Sequence, residues 1–289
     1  MRPAPRRARA RPQPGPRRAA RSTGRSAPRG RYRQGIAGFV DIHSHVIPSG
    51  DDGARTIDEG LALCRRAAEE GTKVLYGTPH AHPPDGPYFL TPKRVEQARA
   101  SHEAMKWRCA EFGLDLRLGW ELTATGILVG EPRDYVLEGT NAVLLELPGP
   151  WFAFGDVLGA AREQVAELRD AGLDVVLAHP ERAEQIQADP ELVLPLVEEG
   201  ALVCFNADSF IGAHGAASER CAWHLLDLGV GDLVGSDAHG LYRPGRLSGA
   251  LEAIASRYGQ RRSASLANGS AVGVLTDEDP LRRAAGSAR

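Results

Sequence analysis

The sequence predicts an α/β fold built from repeated strand–helix units around a parallel sheet, and three observations predict it. From residue 35 onward, short apolar runs alternate with helical patterns. Gly71, Gly113, Gly172, Gly200 and Gly229 each follow a helical pattern, where a glycine can take the left-handed conformation that ends a helix. The resulting helix–glycine–strand joints recur at a rhythm that suits parallel strands, because a parallel crossover needs a helix-length connection. At 289 residues, a single α/β barrel is of ordinary length.

In chain order, residues 1–34 come first, with twelve arginines, no lysine, no acid and almost no apolar side chain. Such a segment cannot bury enough surface to offset its ordering entropy, so a disordered tail is expected. Strands are expected at Gly38–His43, Lys73–Gly77, Asp115–Glu121, Ala142–Glu146, Val175–Ala178, Leu202–Asn206 and Asp232–Gly235. Helices are expected over Thr56–Glu70, Thr91–Phe112, Phe154–Ala171, Pro190–Glu199, Ala216–Leu228 and Gly245–Tyr258. Thr56 and Glu59 have the spacing of a capping box. No internal repeat or linker interrupts residues 35–275, so 35–289 reads as one domain.

Charge narrows the function classes. The formal net charge is -2, but without the tail 23 basic residues face 37 acidic ones. An acidic body does not suit a nucleic-acid surface. Cys64, Cys109, Cys204 and Cys221 lack C-x-x-C spacing and lie in apolar contexts, which points to buried thiols. No apolar run reaches transmembrane length, and no apolar core follows the N-terminal arginines as in a secretory signal. The expectation is a cytoplasmic protein without membrane insertion.

The chemistry lies at the strand ends. Phe39-Val40-Asp41-Ile42-His43-Ser44-His45 is an apolar run ending in two histidines, and positions i and i+2 of a strand share a face. The second strand runs into Thr78-Pro79-His80, the third ends in Gly119-Trp120-Glu121, a later one in His179-Pro180-Glu181-Arg182, and the last in Ser236-Asp237-Ala238-His239. In an α/β barrel these ends line one mouth, where active sites form. So many ionisable groups beside apolar runs are costly unless they are paired or bind metal. Histidine and carboxylate without thiolate suit zinc, manganese or iron, and so many donors suit two or three ions. In the loop Asp51-Asp52-Gly53, either a turn or a ligand reading is open. Arg182, with Arg243 or Arg246, has the fork geometry to clamp a phosphate. Asn206-Ala207-Asp208-Ser209 brings further polar groups to a strand end, with a substrate-positioning role open to it. Glu146 reads as a hydrogen-bonding residue of the mouth, and His102, His214 and His224 as structural or exposed. A cysteine-dependent phosphatase would need an arginine six positions after its cysteine. Those positions hold Glu70, Asp115, Phe210 and Asp227.

Taken together, D-I-H-S-H, D-D-G, T-P-H, the strand-end Glu121, A-H-P-E-R and S-D-A-H resemble the PHP (polymerase and histidinol phosphatase) superfamily. Within it, D-D-G and H-P-E-R most resemble the bacterial tyrosine-protein phosphatases of capsule and exopolysaccharide operons, the CpsB/CapC/YwqE type. The resemblance covers roughly residues 38–275. It implies a distorted (β/α)7 TIM-like barrel and a metallophosphatase domain. It implies two to three divalent ions, with Mn2+ expected and Zn2+ or Fe2+ compatible. By position it makes His43, His45, Asp52, His80, Glu121, His179, Asp237 and His239 metal ligands, choosing Asp52 over Asp51. It makes Arg182 and Arg243 phosphate binders, with His82 as a rival to His80 and Arg246 to Arg243. His239 and Asp208 are candidate proton donors. The implied activity is hydrolysis of phosphotyrosine on a protein, such as the tyrosine-rich tail of a bacterial kinase that controls polysaccharide export. A small-molecule phosphatase of the histidinol-phosphate kind, or a phosphodiesterase, would use the same ligands.

Overall fold

The computed structural model describes residues 38–125, 130–149, 156–240 and 242–274. The expected tail at 1–34 and the end of the expected domain at 275–289 lie outside them. The described chain runs β1 (Phe39–Asp41), α1 (Ile57–Glu69), β2 (Thr72–Gly77), β3 (His80–Ala81), α2 (Pro92–Ala110), β4 (Asp115–Leu118), β5 (Glu121–Thr123) and β6 (Ala142–Glu146). It continues with α3 (Val157–Asp170), β7 (Asp174–Ala178), α4 (Glu184–Ala188), α5 (Leu194–Glu198), β8 (Leu202–Asn206), α6 (Gly215–Asp227), β9 (Leu233–Gly235), α7 (Leu247–Tyr258) and α8 (Gln260–Ser265).

The fold is α/β with parallel sheets, as the sequence implied. One sheet has the order β1-β2-β4 and the other β3-β5-β6-β7-β8-β9, and every strand pair is parallel. The five helix-ending glycines all adopt positive φ, from 77° to 110°. At the start of α1 the Glu59 N–H donates to Thr56 Oγ1 at 3.2 Å, while the Glu59 carboxylate accepts from Arg55. Half of the expected capping box therefore forms.

Two bends depart from expectation. The strand expected at Asp115–Glu121 breaks into β4 and β5, and β3 follows β2 after a break at Thr78-Pro79. Proline has no N–H to offer the ladder. Gly119 packs so closely on Leu137 that a Cβ would lie 2.4 Å from Leu137 Cδ2, so only glycine fits the second bend. Backbone bonds from Gly119 to Gly77 (2.9 Å) and Glu121 to Pro79 (3.1 Å) carry the pairing across the breaks. At the opposite edge, His45 donates to the Ala238 carbonyl and Asp237 to the His43 carbonyl, each at 2.8 Å. The loops after β1 and β9 are thereby sewn together. The helix expected at Pro190–Glu199 is a 3-10 turn (Pro190–Val193) running into α5. The short helices α4 and α8 escaped the sequence reading, because five or six residues show too little periodicity.

The strands bury both faces, which explains their continuous apolar runs. One face joins an inner cluster of Val40, Ile42, Val74, Tyr76, Leu144 and Val176. The other packs against the helices through Leu75, Val143, Leu145, Val175, Leu177 and Phe205. All four cysteines are buried free thiols, as expected. Among the described residues, no helix is long and apolar enough to cross a membrane.

Candidate metal centre

The strand ends deliver their polar residues to one place. Glu121 opens β5, His80 opens β3, His43 and His45 follow β1, His179 follows β7, and Asp237 and His239 follow β9. His179 (φ 31°) and Asp237 (φ 49°) sit in the left-handed region, which costs a non-glycine residue roughly 1–3 kcal/mol. Both strained residues therefore belong to the site.

All eight residues anticipated as ligands fall into three overlapping groups. These are His45, Asp52, His80 and His239; His43, Glu121 and His179; and His43, His45 and Asp237. Within each group the donor atoms lie within 4.8 Å of one another. Glu121, fully buried, has Oε1 at 3.2 Å from both His43 Nε2 and His179 Nε2, and Oε2 at 3.1 Å from both His45 Nε2 and His80 Nδ1. His43 Nε2 and His45 Nε2 face each other at 3.3 Å.

The donor set fits divalent cations. Both Glu121 oxygens, Asp237 Oδ1 and His80 Nδ1 are buried without a hydrogen-bond partner among the described residues. Unsatisfied buried acceptors are rare and costly unless a cation completes them. The titration behaviour agrees. Burial works to raise the carboxyls of Glu121 and Asp237, but the surrounding imidazoles, His43 foremost, hold both well below the ordinary range. Burial works to lower His45, yet Asp51 and Glu121 hold its imidazole well above its usual value. His80 (about 3) and His179 (about 4) are pushed down, chiefly by burial. Ionised Glu121 and Asp237 beside neutral His80 and His179 are the protonation states in which these groups can ligate a cation.

Asp237 divides its two oxygens between two tasks. Oδ1 faces His43 at 3.4 Å, His45 at 3.5 Å and His239 Nδ1 at 3.3 Å. Oδ2 accepts from Arg182 Nη1 at 2.5 Å, Arg243 Nη2 at 2.8 Å and Asn206 Nδ2 at 3.0 Å. Two partly exposed guanidiniums thus flank the centre with donors left for an anion. A cleft of about 270 Å³ opens beside Arg182, lined by Glu146, Pro148, His179, Arg182, Glu184 and Gln185 among others.

Of the residues that sequence spacing left open, His80 and His82 both stand in groups of facing donor atoms, while Asp51 and Asp52, and Arg243 and Arg246, take different surroundings. Asp51 points inward, with Oδ2 3.1 Å from His45 Nδ1 and accepting the His80 N–H at 3.1 Å. It thus orients His45, while Asp52 Oδ1 lies 3.5 Å from His80 Nε2 and 3.4 Å from His239 Nε2. His82 groups with His80 and Glu146, its Nδ1 accepting the Tyr88 N–H. Glu146 lies 3.8 Å from His179 Nε2, and burial, then Glu121 and Asp237, push its carboxyl well up. Arg243 is at the site, whereas Arg246 pairs with Glu70 at 3.4 Å and is largely exposed. His102 is buried, bonded to the Leu116 carbonyl, and His224 is exposed.

His214 is partly buried. Its Nε2 is buried without a partner among the described residues, and burial, then Arg182 and Arg243, push it down to about 4. Glu181 and Arg94 are site-region residues to which sequence reasoning gave no role. For Glu181 the only signal was its place in H-P-E-R; nothing in the local sequence singled out Arg94.

Comparison with known proteins agrees with this geometry. The family model described as "Capsular polysaccharide synthesis, CpsB/CapC" matches residues 39–276. The tyrosine-protein phosphatase YwqE of Bacillus subtilis is 28% identical over 206 residues, covering 70% of this chain and 77% of that protein. The tyrosine-protein phosphatase CpsB of Streptococcus agalactiae is 26% identical over 251 residues, covering 82% and 98%. Among solved structures, one from the work on YwqE of Bacillus subtilis and CpsB of Streptococcus pneumoniae, described as metal-dependent tyrosine phosphatases, superposes with a TM-score of 0.66. It is 26% identical and covers 78% of this chain and 90% of that one.

Proposed function

The chain belongs to the capsular polysaccharide synthesis CpsB/CapC family, and from that premise we propose that it is a metal-dependent protein-tyrosine phosphatase. The observation that carries the reading is Asp237, whose partnerless Oδ1 faces the imidazoles while two arginines share its Oδ2. That arrangement places an anion clamp directly against a cation-binding pocket.

In this reading residues 35–289 form one metallophosphatase domain, a distorted (β/α)7 barrel whose mouth holds the centre. His43, His45, Asp52, His80, Glu121, His179, Asp237 and His239 hold two or three divalent ions. Mn2+ is the preferred ion, and Zn2+ or Fe2+ suits the same donors. When bound, such ions supply Lewis acidity and make water nucleophilic near neutral pH. Arg182 and Arg243 bind the phosphate oxygens and stabilise charge building on them during in-line displacement. Asp51 keeps the His45 ring turned toward the centre, and Asn206 keeps Asp237 in place. A phenolate leaving group, with a pKa of about 10, needs less proton assistance than an alkoxide, which suits phosphotyrosine. The partner is a phosphotyrosine protein in the cytoplasm, with a bacterial tyrosine kinase tail as the candidate.

The test compares initial rates on a phosphotyrosine peptide, a phosphoserine peptide, histidinol phosphate and a nucleotide diester, before and after chelation. The phosphotyrosine peptide should be fastest. Activity should vanish on chelation, return with Mn2+ and be indifferent to vanadate. A faster rate on histidinol phosphate or the diester overturns the substrate assignment; activity surviving complete metal removal overturns the metal assignment.

A further inference from the structure

Arg94 stands in the first turn of α2 and reaches away from the helix toward the centre. Its guanidinium donates to five acceptors on three separate segments. Nε bonds the Ser49 carbonyl at 3.0 Å, and Nη2 bonds Ser49 Oγ at 3.4 Å and the His80 carbonyl at 3.2 Å. Nη1 bonds the carbonyls of Tyr88 and, at 3.2 Å, Phe89. A guanidinium has five N–H groups, so its donor capacity is fully used inside the protein. This arginine therefore offers nothing to a substrate.

The three segments share one feature, which is His80. Arg94 holds the His80 carbonyl, and Asp51 holds its N–H at 3.1 Å, so the peptide is fixed on both sides. Ser49 begins the turn that carries Asp51 and Asp52. The Tyr88 ring stacks on the His80 imidazole, with centroids 5.3 Å apart and planes 7° from parallel. We propose that Arg94 is a positioning residue that holds the Asp52–His80 side of the centre in ion-binding geometry. The inference rests on the metal-centre reading above and adds a division within it. Arg94's hydrogen bonds fall on Ser49, His80, Tyr88 and Phe89, and none goes to the segments carrying Glu121, His179 or Asp237. Loss of Arg94 thus weakens one ion position and spares the others.

The experiment measures ions per chain by elemental analysis and ion affinity by calorimetry, for the wild type, Arg94→Ala and Arg94→Lys. Melting of the metal-free proteins is followed in parallel. Both variants should hold one ion fewer per chain after dialysis, with that ion's affinity lowered about 10–100-fold, as for other groups that orient a metal ligand. Millimolar guanidinium should restore the ion to Arg94→Ala. It should not restore Arg94→Lys, whose ammonium fills the space without the fork. Unchanged stoichiometry and affinity in both variants overturns the proposal. So does loss of all ions together with collapse of the melting transition, or wild-type behaviour of Arg94→Lys. A wild type that binds no divalent ion overturns the metal-centre reading itself. A wild type with its full complement and variants that match it overturn only the role of Arg94.

Discussion

The floor and the rim of the site use the same kinds of side chain in opposite ways. On the floor, Glu121 and His45 are fully buried, and the Glu121 oxygens and Asp237 Oδ1, without a hydrogen-bond partner among the described residues, face imidazole nitrogens. At the rim, the side chains of Asp52, Arg182 and Arg243 are 44%, 30% and 25% exposed. The two arginines are already bonded to the protein through Asp237, yet keep donors facing outward. The floor residues come from strands or the residues just past them, where packing on both faces limits movement. The rim residues come from the following loops and turns. In the proposed reading the difference separates holding ions from recognising phosphate. Atoms without protein partners are those a cation would complete, and Arg182 and Arg243 keep donors for a ligand that comes and goes, with Asp52 standing at the rim but on the ion-holding side.

The most severe break of this division is at the floor. Glu121→Gln removes the one carboxylate that contacts His43, His45, His80 and His179. The variant should lose bound metal and at least about 10³-fold in rate, the scale set by several kcal/mol of lost charge stabilisation. Elemental analysis alongside turnover checks both. A variant that keeps its full metal content would show that Glu121 is not part of the floor.

A milder break is at the rim. Arg182→Ala should keep the metal complement and lower kcat/KM for a phosphotyrosine peptide about 100-fold, the scale of one lost transition-state donor. Arg246→Ala is the matched control. Its guanidinium pairs with Glu70 away from the centre, so its rate should stay within about two-fold of wild type. If Arg182→Ala loses metal as well, the line between floor and rim is drawn in the wrong place.

Much of the floor was legible because it is local. His43, Glu121, His179 and Asp237 each stand at or just past an apolar run, and the helix-ending glycines mark where those runs begin. The rim residues Asp52, Arg182 and Arg243 were also anticipated, Asp52 and Arg243 only through the family resemblance, but their supports were not. Asp51 and Asp52 are chemically identical neighbours, and only the path of the backbone sends one to His45 and the other to His80 and His239. Arg94 meets Ser49 across 45 residues, a contact no local spacing encodes. The bends at Thr78-Pro79 and Gly119-Trp120 were also hidden. At Gly119 the cause is Leu137, which packs from a distant part of the chain.

Glu181 offers the smallest and sharpest test, because it is as buried as Glu121 and differs only in what faces it. Its Oε1 accepts from the Asn206 N–H at 2.9 Å and Ser209 Oγ at 2.7 Å, and the charged neighbour acting on it is the Arg182 guanidinium rather than an imidazole. Burial therefore raises its carboxyl from 4.5 to about 7, where the imidazoles hold Glu121 down. The folded protein then binds the Glu181 proton more tightly than the unfolded chain does. Its contribution to stability is full below pH 4.5 and is lost as pH rises through about 7. Glu181→Gln keeps an oxygen for both donors and cannot ionise. The stability of Glu181→Gln relative to wild type should therefore rise between these pH values by on the order of 1–3 kcal/mol and then level off. Urea unfolding of both metal-free proteins across that range measures it. Parallel pH profiles would mean that the neighbouring Arg182 guanidinium and the two hydrogen bonds offset burial, and burial alone would no longer separate Glu181 from the floor.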